Sequence, residues 1–140
     1  MLGDDQWHRL LATRATDPHA VRQAYAARAR PGRLLNDRGT IFLIAADHAA
    51  HGALACGTDL MTMADRRSLL GRLVEALEHP DVDGVLGSPD IVEELPLLGA
   101  LEGKVVIDSM NRNGFDGATW TMEQRAGHDQ RTHVPEDAVV

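Results

Sequence analysis

Three short apolar runs alternate with longer segments of helical periodicity along this chain. The runs cover residues 40–46, 82–86 and 104–107, and turn-forming residues flank each of them. A run of apolar and β-branched residues between turn signals is typical of a strand that is buried on both faces, as in a parallel sheet. The pattern therefore predicts three short parallel strands, the second of them broken by Gly84.

Helical segments precede each predicted strand. One helix is predicted over residues 17–30, with Asp17 as its N-cap and Pro31 just beyond its end. A second is predicted over about 61–79, because leucine and valine recur there on one helical face. A shorter third helix is predicted over about 91–98. The order is thus a helix, two strand–helix units and a final strand.

The alternation of strands and helices favours an α/β fold with parallel pairing. Two architectures fit: a small doubly wound sheet, and the opening of an eight-fold (β/α)8 TIM barrel. Because three strands cannot close a barrel, the second would be a partial TIM barrel with flanking helices and an N-terminal helix. We expect this domain over residues 1–125 and a disordered or aberrant tail over 126–140, where no periodicity is sustained.

Composition narrows the classes of function. The 140 residues carry a formal net charge of -7 without a basic patch, which argues against binding to nucleic acid. The longest apolar run, 41–46, is far shorter than the ~20 residues of a membrane helix, and the first ten residues do not resemble a signal peptide. The single cysteine, Cys56, cannot form an internal disulfide, so a reducing cytoplasm is the expected location.

Polar side chains follow every predicted strand, and this pattern is the strongest indication of function in the sequence. The carboxyl ends of parallel strands share one edge of a sheet, where α/β proteins bind their ligands, so we expect a common small-molecule site there. An alternative for Ser88 and Asp90 is that they cap the helix that follows. The residues at the three strand ends are Asp47 and His48, then Ser88 and Asp90, then Asp108, Ser109, Asn111 and Arg112.

The sequence provides weaker support for a metal site, a reactive thiol or a nucleotide-binding site. Asp47, His48 and His51 are suitable ligand types for a divalent metal, but no further histidine or cysteine cluster completes such a site. Cys56 is more typical of a small packed residue than of a nucleophile. The glycines after the first strand match neither a dinucleotide fingerprint nor a phosphate-binding loop. We therefore predict no metal and no cofactor.

Lysine is almost absent from the chain. Thirteen arginines accompany a single lysine, Lys104, which begins the third predicted strand. In a barrel this position lies at the end opposite to the polar strand ends, where solvation or stability is the expected role. An imine-forming lysine must be partly desolvated to become nucleophilic. Lys104 is therefore not expected to form a Schiff base.

Two segments together resemble a known family. They are TIFLIAADHAAHGAL at residues 40–54 and MADRRSLLGRLVEALEHPDVDGVLGSPDIVEELPLLGALEGKVVIDSMNRNG at residues 63–114. With their ADH, GSPD and SMNR motifs, they resemble the first half of a class I aldolase-like (β/α)8 barrel family. This group includes deoxyribose-phosphate and tagatose-bisphosphate aldolases and aldolase-like proteins associated with myo-inositol catabolism.

The resemblance implies carbon–carbon bond cleavage or formation through a lysine imine, on a sugar phosphate or an inositol-derived ketose. Asp47 matches the acid that binds substrate hydroxyls or assists proton transfer in that group, and it is the predicted catalytic residue. The lysine of the group lies on a sixth strand, so this chain is expected to be an inactive N-terminal fragment. The predicted substrate-binding residues are His48, Ser88, Asp108, Ser109, Asn111 and Arg112.

Two other classes of function remain open. The chain could be a non-catalytic α/β module that binds an anionic metabolite or a partner chain, with its open sheet edge favouring an oligomer. A metal-dependent lyase that uses His48 and His51 is the third interpretation.

Overall fold

In the computed structural model, residues 1–109 are described, apart from the side chain of His51. Within this range the chain forms an α/β fold with four α-helices around an open, three-stranded parallel sheet of order β1-β2-β3. The α/β class and the parallel strands predicted from the sequence are confirmed. The elements are α1 (Asp4–Thr16), α2 (Ala20–Ala27), β1 (Leu43–Ala46), a 3-10 turn (His48–His51), α3 (Arg66–Leu77), β2 (Gly84–Gly87), α4 (Pro89–Leu97) and β3 (Val105–Asp108).

The three strands are in register, so their carboxyl ends lie at one edge of the sheet. Ala46, the last residue of β1, pairs with Gly87 of β2, which in turn pairs with Asp108 of β3. The ladder continues for one more bond, since the backbone amide of Ser109 donates to the carbonyl of Gly87 at 2.8 Å. The residues that follow the strands are therefore neighbours in space.

The predicted break of the second strand at Gly84 is wrong. Gly84 is the first residue of β2, and it pairs with both Leu43 and Val105. A Cβ atom at this position would lie 2.7 Å from the carbonyl carbon of Val105 and 2.9 Å from its Cα. Glycine is required here because the backbones of β2 and β3 approach closely, and not because the strand ends.

The helices begin and end at different residues from those predicted. The predicted helix 17–30 is observed as α2 alone, because the Asp17 carboxylate accepts from the His19 amide in a turn before the helix. The predicted helix 61–79 is observed as α3, which begins after Asp65, whose carboxylate accepts from the Ser68 amide at 3.0 Å. The first helix, α1, was not predicted.

The hydrophobic core lies between the helices and one face of the sheet, which we call the inner face. Ala46, Val85 and Val106 are buried on this face, in one cluster with the leucines of α3 and α4. Tyr25 ties α2 to α4 because its hydroxyl donates to the carbonyl of Val92 at 2.7 Å. In the described range, no helix has both the length and the apolar composition needed to cross a membrane.

The opposite face of the sheet, which we call the outer face, is apolar but incompletely covered. Side chains alternate between the two faces of a strand, so Leu43, Ala45, Leu86, Val105 and Ile107 share this face. Ala45 is exposed and Leu43, Leu86 and Ile107 are half-buried, whereas Val105 is buried. Parallel sheets are normally covered on both faces, so this exposure is unusual for the fold.

Candidate functional site

The carboxyl-terminal edge of the sheet brings Asp47, His48 and Ser109 together. The Ser109 hydroxyl donates to Oδ2 of Asp47 at 3.3 Å, although 62 positions separate the two residues in the chain. Nδ1 of His48 lies 4.0 Å from Oδ1 of Asp47, and the His48 side chain is 52% exposed while that of Asp47 is 22% exposed. A half-buried carboxylate thus has a hydroxyl on one side and an accessible imidazole on the other.

Local backbone geometry explains why Asp47 and His48 face one ligand-accessible edge. Asp47 precedes the 3-10 turn, with φ -103° and ψ 0°, in a region of backbone space that active-site residues often occupy. Its carbonyl accepts from the Ala50 amide at 3.1 Å. The turn ends at Gly52, whose φ of 76° lies in the left-handed region that favours glycine. The 3-10 turn and Gly52 therefore change the direction of the backbone directly after Asp47 and His48.

The side chains of Ser88 and Asp90 form hydrogen bonds within the protein at the beginning of α4. Ser88 is buried and is the N-cap residue, and its carbonyl accepts from the amides of Ile91 and Val92. The carboxylate of Asp90 receives hydrogen bonds from the Ser88 hydroxyl and from the Arg66 guanidinium. Burial raises the pKa of Asp90, but these hydrogen bonds outweigh burial and hold the pKa below its usual value. Ser88 thus occupies the N-cap position without a capping hydrogen bond from its side chain, and the two side chains bond to each other and to Arg66.

Arg66 joins α3 to α4 beneath the strand ends, and the sequence contained no signal for this role. Its Nε donates to the buried Glu94 at 2.8 Å, while its terminal nitrogens contact the carboxylate and the carbonyl of Asp90. Arg14 of α1 also pairs with Glu93, at 2.8 Å. These ion pairs hold the Ser88 segment in place, and they engage Arg66, so it is less available to a ligand.

Asp108 is less accessible to a ligand than we expected from its position at the end of a strand. It is the last residue of β3, and the alternation of side chains puts it on the inner face with Val106. Both of its carboxylate oxygens are buried. The predicted substrate-binding residues Asn111 and Arg112 lie outside the described residues, as do the boundary at residue 125 and the tail 126–140.

No metal site is evident among residues 1–109, where no three His, Cys, Asp or Glu side chains are arranged to hold an ion. Lys104 lies at the other end of the sheet, as expected. Its Nζ donates to the carbonyl of Val82 at 2.6 Å and to that of His79 at 3.2 Å. These bonds tie the beginning of β3 to the segment before β2, which is a structural role.

The fold and this edge define a small α/β domain with a polar site at the ends of its parallel strands. Residues 39–138 match the family described as Cgl0159-like, and the chain belongs to that family. Its structure is similar to the crystal structure of Cgl0159 from Corynebacterium glutamicum, with a TM-score of 0.78 and 43% sequence identity. The similarity covers 85% of this chain and 40% of that chain. No curated protein matches this sequence.

The predicted membership of the class I aldolase-like family is therefore wrong. The comparisons identify the Cgl0159-like family and not an aldolase family, so the lyase, Schiff-base and inositol-catabolism roles that the resemblance implied are wrong as well. The motifs ADH, GSPD and SMNR are short polar segments that follow parallel strands. Such segments recur in α/β proteins of unrelated function, because that edge of the sheet is where ligands bind.

Proposed function

We propose that this chain is a non-catalytic α/β module whose outer face binds further polypeptide. The observation that supports this is the apolar outer face of a parallel sheet, with Ala45 exposed and Leu43, Leu86 and Ile107 only half-buried. Covering apolar area stabilises a complex by roughly 25 cal/mol per Å². Parallel sheets generally have both faces covered, so a binding partner would complete an ordinary arrangement.

The edges of the sheet suit the same partner. Among the described strands, β1 and β3 are the outer members of the order β1-β2-β3. The backbone groups along an outer strand form a template on which another strand can pair. A partner that adds a strand beside β1 or β3 would therefore extend the sheet, and other parts of the partner would pack on the outer face.

The partner that we propose is further strand–helix polypeptide, supplied by a segment such as the part of Cgl0159 outside the similarity. Cgl0159 is long enough to contain such a segment, since the similarity covers only 40% of that chain. In such an assembly the added polypeptide would enclose the outer face, which would then lie in the interior of the larger structure. The partial (β/α)8 barrel favoured by the strand–helix alternation is the finer form of this proposal.

Co-expression of this chain with the part of Cgl0159 outside the similarity tests the proposal. We expect a 1:1 complex, measured by light scattering after size-exclusion chromatography. Ala45→Arg should abolish the complex by placing a charge on the outer face. Ala12→Arg is the matched control, because Ala12 is exposed on α1, away from the sheet, and this variant should bind like the wild type.

A second measurement does not require the added segment to fold alone. The isolated chain should bind an apolar fluorescent dye, and Ala45→Arg should reduce that fluorescence while Ala12→Arg does not. An isolated chain that binds no dye would contradict an accessible outer face. A stable homodimer that excludes the added segment would show that a second copy is the partner instead.

The strand ends support a second candidate function, the binding of a small hydroxylated molecule. The Asp47 carboxylate and the Ser109 hydroxyl, 3.3 Å apart, can both exchange their bond for one to a ligand hydroxyl. The Asp47 carboxylate, which stays partly exposed at this edge, favours a neutral ligand over an anion. Arg66 offers little compensation because it already pairs with Asp90 and Glu94.

Titration of the chain with the neutral polyol ribitol and with inorganic phosphate distinguishes the two ligand classes. We expect saturable amide shifts near Asp47 and Ser109 with ribitol only. Asp47→Asn and Ser109→Ala should each weaken them, while Asp37→Asn at the other end of the sheet should not. Preference for phosphate would instead support the anionic metabolite.

A further inference from the structure

A second cleft lies at the amino-terminal end of the sheet, on the opposite side from Asp47. The segment 31–36 forms one wall, and residues around Val82 and Lys104 form the other. Its volume is about 250 Å³. At roughly 30 Å³ per water molecule, this corresponds to about eight waters, so only a small molecule fits.

Two cationic side chains line the cleft, and they differ in how firmly the protein holds them. The Lys104 ammonium is held in position by the carbonyls of Val82 and His79, which use two of its three N–H donors. The Arg33 guanidinium pairs with Asp37, and both side chains are largely exposed, at 60% and 86%. Exposed ion pairs contribute only about 0–1 kcal/mol, so a ligand anion can replace Asp37 at low cost.

The remaining lining combines an acid, backbone amides and apolar side chains. Asp83 is the acid that lines the cleft, and one of its oxygens already accepts from the Phe42 amide at 2.7 Å. In the described range, the backbone amides of Gly32 and Leu34 donate no hydrogen bond to protein, so they can donate to a ligand. The exposed side chains of Leu34 and Leu35 add apolar surface.

We propose that this cleft binds a small carboxylate with a short hydrocarbon chain. The carboxylate contacts Arg33 and the third N–H of Lys104, and the hydrocarbon part lies against Leu34 and Leu35. Guanidinium groups recognise carboxylates through paired N–H donors, which an uncharged ligand of the same shape cannot exploit. This site is distinct from the proposed partner surface, because it lies at a sheet end and shares with the outer face the buried Val105 and not the exposed Ala45.

Amide-shift titrations of the full chain test this site, with butyrate, its neutral isostere butyramide and inorganic phosphate as probes. We expect butyrate to saturate shifts at Gly32, Leu34 and Gly103, with an affinity at least about fivefold higher than that for butyramide. Arg33→Gln should weaken butyrate at least about fivefold by removing the ionic contact. Arg38→Gln, in the same loop but outside the lining, should leave the affinity within about twofold.

Each other outcome overturns the inference. Unsaturable shifts, or equal binding of butyrate and butyramide, would show that no carboxylate site exists. Phosphate binding as tight as butyrate would replace the carboxylate class with an oxyanion site that ignores the apolar wall. Equal losses of butyrate affinity in Arg33→Gln and Arg38→Gln would show that the affinity depends on net charge and not on a contact with Arg33. None of these results depends on complex formation through Ala45.

Discussion

At the scale of single residues, Gly84 allows β2 and β3 to pair. A Cβ there would lie within 2.9 Å of the Val105 backbone, which cannot move without disturbing the ladder. We expect Gly84→Ala to lower the free energy of unfolding by about 3 kcal/mol, as overpacking at a rigid contact does. Gly32→Ala is the control, since a Cβ at Gly32 meets nothing within 4 Å. Urea denaturation measures both, and equal midpoints would refute the steric explanation.

At the scale of elements, α3 depends on its N-cap. The Asp65 carboxylate accepts from the Ser68 amide at 3.0 Å, which satisfies a donor at the beginning of the helix. We expect Asp65→Ala to lower the free energy of unfolding by about 1 kcal/mol. Asp65→Asn keeps a capping oxygen and should lose much less. A loss of the same size in both variants would show that charge, and not the cap, matters.

The contact between α3 and α4 predicts a dependence of stability on pH. The pKa of Asp90 is lowered from 3.8 in the folded chain: burial raises it, but hydrogen bonds from Ser88 and Arg66 outweigh that effect. The folded state therefore favours the ionised carboxylate. This contribution is complete above the unfolded pKa of 3.8 and is lost as the pH falls through the folded value.

Asp90→Asn removes this titration. We expect the wild type to be more stable than the variant at neutral pH, and the difference to narrow below about pH 4. Thermal unfolding of both proteins between neutral pH and pH 2 measures it. A difference that stays constant, or grows as the pH falls, would contradict the assigned hydrogen bonds to the ionised form.

At the scale of the whole molecule, the two faces of the sheet differ in what covers them. Ala45 is exposed on the outer face, whereas its neighbour Ala46 is 2% exposed on the inner face. We expect Ala46→Arg to cost at least about 3 kcal/mol of stability, because it buries a charge in a packed core. Ala45→Arg should change stability by less than about 1 kcal/mol. Urea denaturation distinguishes them, and equal losses would mean that the outer face is also packed.

The strands and the two later helices could be predicted because their signals are local. β-Branched runs and leucine spacing lie within single segments of the sequence. The first helix, α1, was missed because its burial depends on distant partners. The backbone before it packs on Gly71 of α3, where a Cβ would lie 2.8 Å from the Leu2 nitrogen, and Arg67 donates to the Leu2 carbonyl.

The sequence by itself determined the α/β class and the polar character of the strand ends, because both depend on the order of residues along the chain. Only the tertiary structure decided which side chains meet. It brought Asp47 to Ser109 but buried the carboxylate of Asp108, and it left the outer face incompletely covered. Register and packing set these outcomes through contacts between distant segments, and no local pattern encodes such contacts.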